Sequence, residues 1–136
     1  MIPNRSPDEV FRCWVDPELL RRWWPPEAKV DPRLAGSYEF SWPKMGWRLR
    51  GRFVRFETGK TLEFTWTWDH ESSVTKRVVV LLSPGDPTGT EVLLEHGPYS
   101  SDPRDVGLRQ EHLEGWMYFL QRLVSVNDPH GPDRPG

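Results

Sequence analysis

The most restrictive feature of this sequence is a strict alternation of bulky apolar and polar residues in two short segments. Between residues 62 and 68 every second residue is large and apolar, and the residues between them are Glu or Thr. Residues 36–42 repeat the pattern with Tyr38, Phe40 and Trp42. Because successive side chains of a β-strand point to opposite faces, both segments are predicted to be strands with one buried and one solvated face. Such a sheet needs a second layer over its apolar face.

Turn residues recur at short intervals and divide the middle of the chain into about six antiparallel strands. The predicted strands are 29–33, 36–42, 47–57, 62–68, 76–83 and 90–96. In the fifth, Val78, Val80 and Leu82 are predicted to point inward, and in the sixth His96 follows two inward apolar residues.

Helical signals flank these strands. Ser6 followed by a proline, and Asp16 followed by another, predict two short N-terminal helices, because Ser and Asp cap helices and proline suits the first helical position. Pro25 and Pro26 end the second helix. A long helix is predicted from a cap at Asp105 to about Val126, with one broad stripe facing the sheet.

These elements predict one α+β domain over residues 1–126, with a curved antiparallel sheet wrapped around the long C-terminal helix. Residues 127–136 are rich in Pro and Gly and are predicted to be a flexible tail. The inward residues are unusually large, and a curved sheet need not pack completely against its helix. We therefore expect a cavity between them.

Several functional classes are disfavoured by what the sequence lacks. The formal charge of -2 gives no broad field for polyanions. Cys13 is the single cysteine and the four histidines are scattered, so no disulfide, zinc site or other metal site is predicted. No phosphate-binding glycine loop is present, and we predict no cofactor. Without a signal-peptide h-region or a long apolar run, the chain is predicted to be cytoplasmic and not membrane-bound.

Arginines alternate along one face of the third strand, at positions 48, 50 and 52. Such a ribbon could contact nucleic acid, but Glu39 and Glu63 on neighbouring strands can pair with it. We interpret it as a solvated strand face and predict no nucleic-acid partner.

A set of motifs in a fixed order resembles one known family. The motifs are SPDEVFRCWVDPELLRRWW, GSYEF, LEFTWTW, GTEVLLEH and GWMYFLQRL. Together they resemble bacterial homologues of the C-terminal domain of the activator of the ninety-kilodalton heat-shock chaperone ATPase, within the SRPBCC or START-like superfamily. The resemblance implies a helix-grip fold with an interior pocket for small apolar molecules, and it implies no particular reaction.

The beginning of the chain departs from the family pattern. Members usually carry a β-strand before the helix that Ser6 caps, and here only five residues precede Ser6. A missing strand would leave a sheet edge with unpaired backbone groups, which favours pairing with another chain. We therefore expect a homodimer through this edge, which a strictly monomeric mass at micromolar concentrations would rule out.

Aromatic and imidazole side chains on the inner faces are the predicted ligand-binding residues. They are Trp24, Phe40, Trp42, Phe64, Trp66, Trp68, His96, His112, Trp116 and Phe119. Plain core packing is the alternative for each aromatic residue, and a hydrogen-bonded structural role is the alternative for each histidine.

Three functions remain open at this point. The first is binding of a small apolar, aromatic or lipid-like ligand, with His96 orienting its polar end. The second is a co-chaperone-like module that contacts a protein partner. The third is a cyclase- or hydratase-type enzyme that uses His96 or His112. Because no spacing identifies a base, a nucleophile and an orienting acid, we assign no catalytic residue and favour binding over catalysis.

Overall fold

Two short α-helices open the fold in the computed structural model, which describes residues 2–71, 75–85 and 89–127. Helix α1 spans Pro7–Val15, and helix α2 spans Pro17–Trp23. At the start of α1 the Ser6 hydroxyl accepts the N–H of Glu9, whose carboxylate accepts the N–H of Ser6. The Asp16 carboxylate caps α2. Both predicted helix starts are therefore confirmed. Of the predicted tail at 127–136, Asn127 is buried at the end of the last helix, and residues 128–136 lie outside the described residues.

Six antiparallel strands follow and pair in sequence order, as the predicted meander requires. They are β1 (Glu27–Val30), β2 (Ser37–Trp42), β3 (Trp47–Glu57), β4 (Thr61–Trp68), β5 (Lys76–Pro84) and β6 (Thr90–Gly97). A short 3₁₀ turn, Asp69–Glu71, follows β4. The register between β3 and β4 shifts between Phe53 and Arg55, and such a bulge bends a strand and increases its twist. The sheet is curved, and with its helices it forms the predicted α+β helix-grip arrangement.

The long C-terminal helix α3 spans Pro103–Asn127 and begins earlier than predicted. The Asp102 carboxylate accepts the N–H of Arg104, and Pro103 occupies the first helical position. The predicted cap at Asp105 is wrong: its carboxylate lies in the first turn and accepts the N–H of Ser100. Asp102 followed by Pro103 was a stronger signal for a helix start than Asp105 alone. Helix α2 begins in the same way, with Asp16 followed by Pro17.

The apolar face of the sheet forms the core together with α1 and α2. The inward residues predicted on β5, Val78, Val80 and Leu82, are all buried. Helix α3 contributes much less, because Trp116 and Leu123 are its only fully buried apolar side chains among the described residues. The helix therefore covers the sheet without filling the space beneath it.

The outer edge of β6 is where a strand preceding α1 would pair. Ile2 forms a single antiparallel bridge there, exchanging two backbone hydrogen bonds with Thr90 at 2.8 and 2.9 Å. By the alternation of an antiparallel strand, the backbone groups of Val92, Leu94 and His96 face the same edge. No backbone partner of these three at that edge lies within the described ranges. The homodimer through this edge stays a prediction.

The solvated face of the sheet carries its arginines in ion pairs. Arg48 lies 3.3 Å from Glu39, as predicted, and Arg50 lies 2.8 Å from Asp69. Glu63 pairs with Arg77 of the neighbouring strand rather than with the β3 arginines. Among the helices described, none has the length and apolar character needed to cross a membrane.

Candidate ligand-binding cavity

A cavity of about 440 Å³ lies between the far ends of β2 and β4, the Asp69–Glu71 turn and the N-terminal half of α3. Most of its wall is aromatic, since six of the eight tryptophans contribute to it. The lining residues are Trp24, Trp42, Met45, Trp47, Trp66, Trp68, His70, Glu71, Leu108, Glu111, His112, Gly115, Trp116 and Phe119. This is the size and composition of a typical small-molecule pocket.

Strand and helix periodicity together bring these residues to one place. Trp66 and Trp68 follow each other on the inner face of β4, and Trp42 ends the same face of β2. On α3, side chains three and four residues apart share one face, which places His112 and Trp116 opposite the strands. Between them lies Gly115, where an added Cβ would meet no atom within 4 Å. The absence of a side chain at Gly115 thus helps to keep the cavity open.

The cavity has a closed inner end and an open mouth. At the inner end Trp24, Trp66 and Trp116 are 8%, 7% and 6% exposed. Their rings pack on one another, with Trp24 stacked on Trp66 at 5.8 Å between centroids. At the mouth Met45 and Trp47 are 55% and 44% exposed. A ligand would therefore meet a wall of packed tryptophans inside and a more exposed rim outside.

His112 is the polar group placed deepest in the wall. Its Nδ1 lies 2.5 Å from the Tyr99 hydroxyl, and its ring stacks on His96 with centroids 4.2 Å apart and planes 6° apart. Behind it, His96 Nδ1 accepts the indole N–H of Trp116 at 2.9 Å. Because Nδ1 accepts, His96 carries its proton at Nε2, and this buried atom has no partner among the described residues.

Burial keeps this cluster neutral near pH 7. Desolvation, with smaller effects of His112 and Lys76, lowers the pKa of His96 to about 3. Desolvation and the charge of Lys76 lower the pKa of His112 to about 4. Burial also raises the pKa of Tyr99 to about 12. We therefore assign the shared proton to the Tyr99 hydroxyl, which leaves the His112 proton at Nε2, an atom with no partner among the described residues.

Acidification is expected to destabilise the fold through the two stacked imidazoles. In the unfolded chain a histidine titrates near pH 6.5, whereas the folded pKa values are about 3 for His96 and about 4 for His112. The unfolded state binds more protons below pH 6.5, so this contribution is fully present above pH 6.5 and is lost as the pH falls towards 4. Melting temperatures from pH 7.5 to 4.5 should decline less steeply for His112→Phe than for the wild type. His70→Phe, at an exposed imidazole, is the control, and equal slopes for His112→Phe and the wild type would contradict the lowered pKa.

Seven of the ten predicted site residues line the cavity, and three lie elsewhere. Those in the lining are Trp24, Trp42, Trp66, Trp68, His112, Trp116 and Phe119. Phe40 and Phe64 are each 3% exposed and pack in the core. His96 lines a separate cavity of about 290 Å³ between β6 and α3, on the other side of His112. His112, and not His96, is therefore the predicted imidazole that lines the tryptophan-rich cavity.

The rim residues were missed in the sequence. Met45 and Trp47 belong to the turn and strand start after Trp42, and Trp47 pairs directly with Trp42 in the β2–β3 register. Glu111 immediately precedes His112 on α3 and also lines the cavity. For Met45 and Trp47 the sequence did contain a signal, because the hairpin between β2 and β3 closes between Trp42 and Trp47. No group of three or more potential metal ligands occurs in the part of the chain that the structure describes.

Comparison with known proteins gives one family and a set of similar folds. The sequence model described as "Activator of Hsp90 ATPase homolog 1-like protein" matches residues 4–127. Protein MLL2253 from Mesorhizobium loti is 23% identical with a TM-score of 0.82, over 96% of this chain and 93% of that chain. CalU16 from Micromonospora echinospora is 26% identical with a TM-score of 0.74, over 96% and 73% of the two chains.

A third similar structure is DynU16, described as a putative protein in the dynemicin biosynthetic locus. It is 18% identical with a TM-score of 0.74, and the match covers 97% of this chain and 46% of that chain. No curated protein gives a significant match to this sequence.

Proposed function

Because the chain belongs to the family of Activator of Hsp90 ATPase homolog 1-like proteins, whose fold it shares, we propose that it binds a small apolar or aromatic molecule in the tryptophan-lined cavity. The observation that carries this proposal is the cavity itself, about 440 Å³ of space walled by six tryptophans. A domain of this size gains stability from filling such space with its own side chains, so an open aromatic cavity favours a ligand. The placement of DynU16 in a biosynthetic locus is in keeping with a small molecule.

The geometry of the wall supports an orienting role for His112. Its ring is held on one side by Tyr99 and on its face by His96, so its Nε2–H is a fixed donor beside an apolar surface. A ligand with a carbonyl or ether oxygen at its inner end would satisfy this donor. Apolar contact would then supply most of the affinity and one hydrogen bond would set the orientation.

Binding is favoured over acid–base catalysis by the same residues. A base with a pKa of about 4 is weak near neutral pH, where efficient proton transfer needs a pKa closer to 7. Cys13 is buried, burial raises the pKa of its thiol, and it does not line the cavity. Within the described residues the cavity lining thus offers a place to hold a molecule and no activated nucleophile.

Titration with two matched probes tests the proposal. We expect 2-acetylnaphthalene to bind saturably in calorimetry and to raise the melting temperature, because a ligand at about 100 times its Kd stabilises a fold by about 2.7 kcal/mol. His112→Phe keeps a ring of similar size and removes the donor. It should weaken 2-acetylnaphthalene about fivefold and leave 2-ethylnaphthalene, which has no acceptor, unchanged.

Failure of both probes, and of other apolar compounds, would contradict a small-molecule pocket. It would favour the protein-interaction alternative, for which α3 offers exposed apolar side chains. Leu113, Met117 and Tyr118 are 53%, 65% and 61% exposed. A change in a chaperone's ATPase rate on addition of the protein would then be the observation to seek.

A further inference from the structure

The charged side chains that line the cavity, among the described residues, are all acidic. Among the described lining residues no Lys or Arg occurs, and the two fully charged side chains are the carboxylates of Glu71 and Glu111. Glu71 ends the 3₁₀ turn after β4 and is half-buried, and Glu111 lies on α3 one residue before His112 and is exposed. The two carboxylates therefore belong to the mouth, at the end opposite the buried tryptophans.

Neither carboxylate is neutralised by the part of the protein that the structure describes. Glu71 and Glu111 form no ion pair or hydrogen bond with a described residue, whereas nearby acids do. Asp69, two residues before Glu71, pairs with Arg50 at 2.8 Å. Glu114, one turn after Glu111, accepts a hydrogen bond from Gln110 at 3.1 Å. The acids at the mouth thus differ from these neighbours in having no ion-pair or hydrogen-bond partner among the described residues.

The surface next to the mouth also carries mainly negative charge. A depression of about 730 Å³ shares His70, Glu71, Leu108 and Glu111 with the cavity and continues along the start of α3. It adds Asp102 and Asp105 and one cation, Arg104. The four carboxylates outnumber the two cations that adjoin them, which are Arg104 in the depression and Lys76, paired with Asp105 at 3.5 Å. The excess gives a negative local potential, which attracts cations and repels anions at the entrance.

The aromatic wall suits a cation as well as an apolar body. Trp68 lies 5.4 Å from Trp42 and 6.0 Å from Trp47 between ring centroids, so three indoles adjoin near the outer part of the cavity. Tryptophan is the best aromatic partner for a cation, and clusters of aromatic rings bind quaternary ammonium groups. A neutral ligand would use these rings but would leave both carboxylates without a partner.

We propose that the ligand is an amphipathic cation, with its apolar or aromatic body among Trp24, Trp66 and Trp116 and an ammonium group at the mouth near Glu71 and Glu111. This inference rests on the proposed function and specifies the class of ligand. An oxygen acceptor on the inner end of the same ligand would meet His112, so the cavity recognises a cation, an apolar body and an acceptor in that order from the mouth inward.

Three probes of nearly equal shape test the charge. They are (2-naphthylmethyl)trimethylammonium, its neutral carbon isostere 2-neopentylnaphthalene, and anionic 2-naphthylmethanesulfonate. In calorimetry at low salt the cation should bind about tenfold more tightly than the neutral isostere, and the anion should bind most weakly. The preference for the cation should shrink at 0.3 M NaCl, because salt screens charges at an exposed mouth.

Variants that remove one carboxylate each show which residues cause the preference for the cation. Glu71→Gln and Glu111→Gln should each lower the affinity for the cation about threefold, and the double variant should lose most of the preference for the cation over the neutral isostere, keeping only the part that the indoles and the adjoining acids supply. Glu114→Gln is the matched control, since it removes a carboxylate on α3 outside the cavity lining and should change nothing. Equal wild-type affinities for cation and isostere would overturn this inference and leave the proposed function standing. Binding of none of the three probes would overturn both.

Discussion

Replacing Gly115 with Leu should lower the affinity for apolar probes at least tenfold without lowering the melting temperature. Gly115 lies inside α3 and lines the cavity, and a Cβ there would meet no atom within 4 Å. The leucine side chain would extend into the space that the ligand needs. Glycine in a helix interior costs about 1 kcal/mol relative to good helix formers such as leucine, so the fold should become slightly more stable. Binding and stability would then change in opposite directions.

The matched control is the same substitution at the other glycine of the helix, eight residues earlier. Gly107 also lies in α3 with no atom within 4 Å of an added Cβ, but it is exposed and outside the cavity lining. Gly107→Leu should therefore gain helix stability and keep the affinity of the wild type. Calorimetric titration and thermal melting of both variants measure the two effects. Unchanged affinity in Gly115→Leu would place the ligand outside this cavity, and a marked fall in melting temperature would mean that the space is filled in solution.

Most of the strands could be predicted closely because their signals are local, but β1, predicted at 29–33, lies at Glu27–Val30. Alternation fixes both the extent of a strand and its inner face, so β3 begins and ends at the predicted residues, Trp47–Glu57. The start of α3 was missed by three residues because Asp105 and Asp102 competed as caps, and the proline after Asp102 decided the start. Local chemistry was sufficient where a single signal dominated.

The depth of a residue in the site could not be predicted in the same way. Phe40 and Trp42 share a face of β2 and have the same pattern in sequence, yet Phe40 is core and Trp42 lines the cavity. The difference depends on where α3 crosses the sheet, which is a tertiary quantity. For the same reason His96 and His112 were equivalent candidates, and their stacking on one another could not be foreseen.

Gly115 is a second position at which the sequence could not show how closely the helix packs on the sheet. Its place on the inner stripe of α3 was clear from helical spacing, and a glycine there allows either a close helix–sheet contact or an open space. Because no atom lies within 4 Å of a Cβ built at Gly115, the space beside this glycine is open. Sequence thus predicted a cavity between sheet and helix and seven of its lining residues, but not its exact position and extent.

Replacing Trp23 with Ala should remove about 3–5 kcal/mol of stability, the largest effect that we expect from a single substitution. Trp23 is 0% exposed, and its indole N–H donates to the Cys13 carbonyl at 2.9 Å, which joins α2 to α1. Its ring lies 4.7 Å from Trp14, and its own carbonyl accepts a hydrogen bond from Arg122 of α3. The loss is a large share of the 5–15 kcal/mol typical of a whole domain.

The matched substitution is Trp47→Ala, at a tryptophan that is 44% exposed and lines the mouth. It should cost less than about 1 kcal/mol, because little apolar surface is lost from the core, yet it should weaken the cationic probe. Urea denaturation followed by fluorescence compares the two variants. Trp23 supports the wall by holding α1, α2 and α3 together, whereas Trp47 lines the mouth, where a bound ligand would contact it. A midpoint for Trp23→Ala close to that of the wild type would contradict this division between the tryptophans that build the cavity and those that line its entrance.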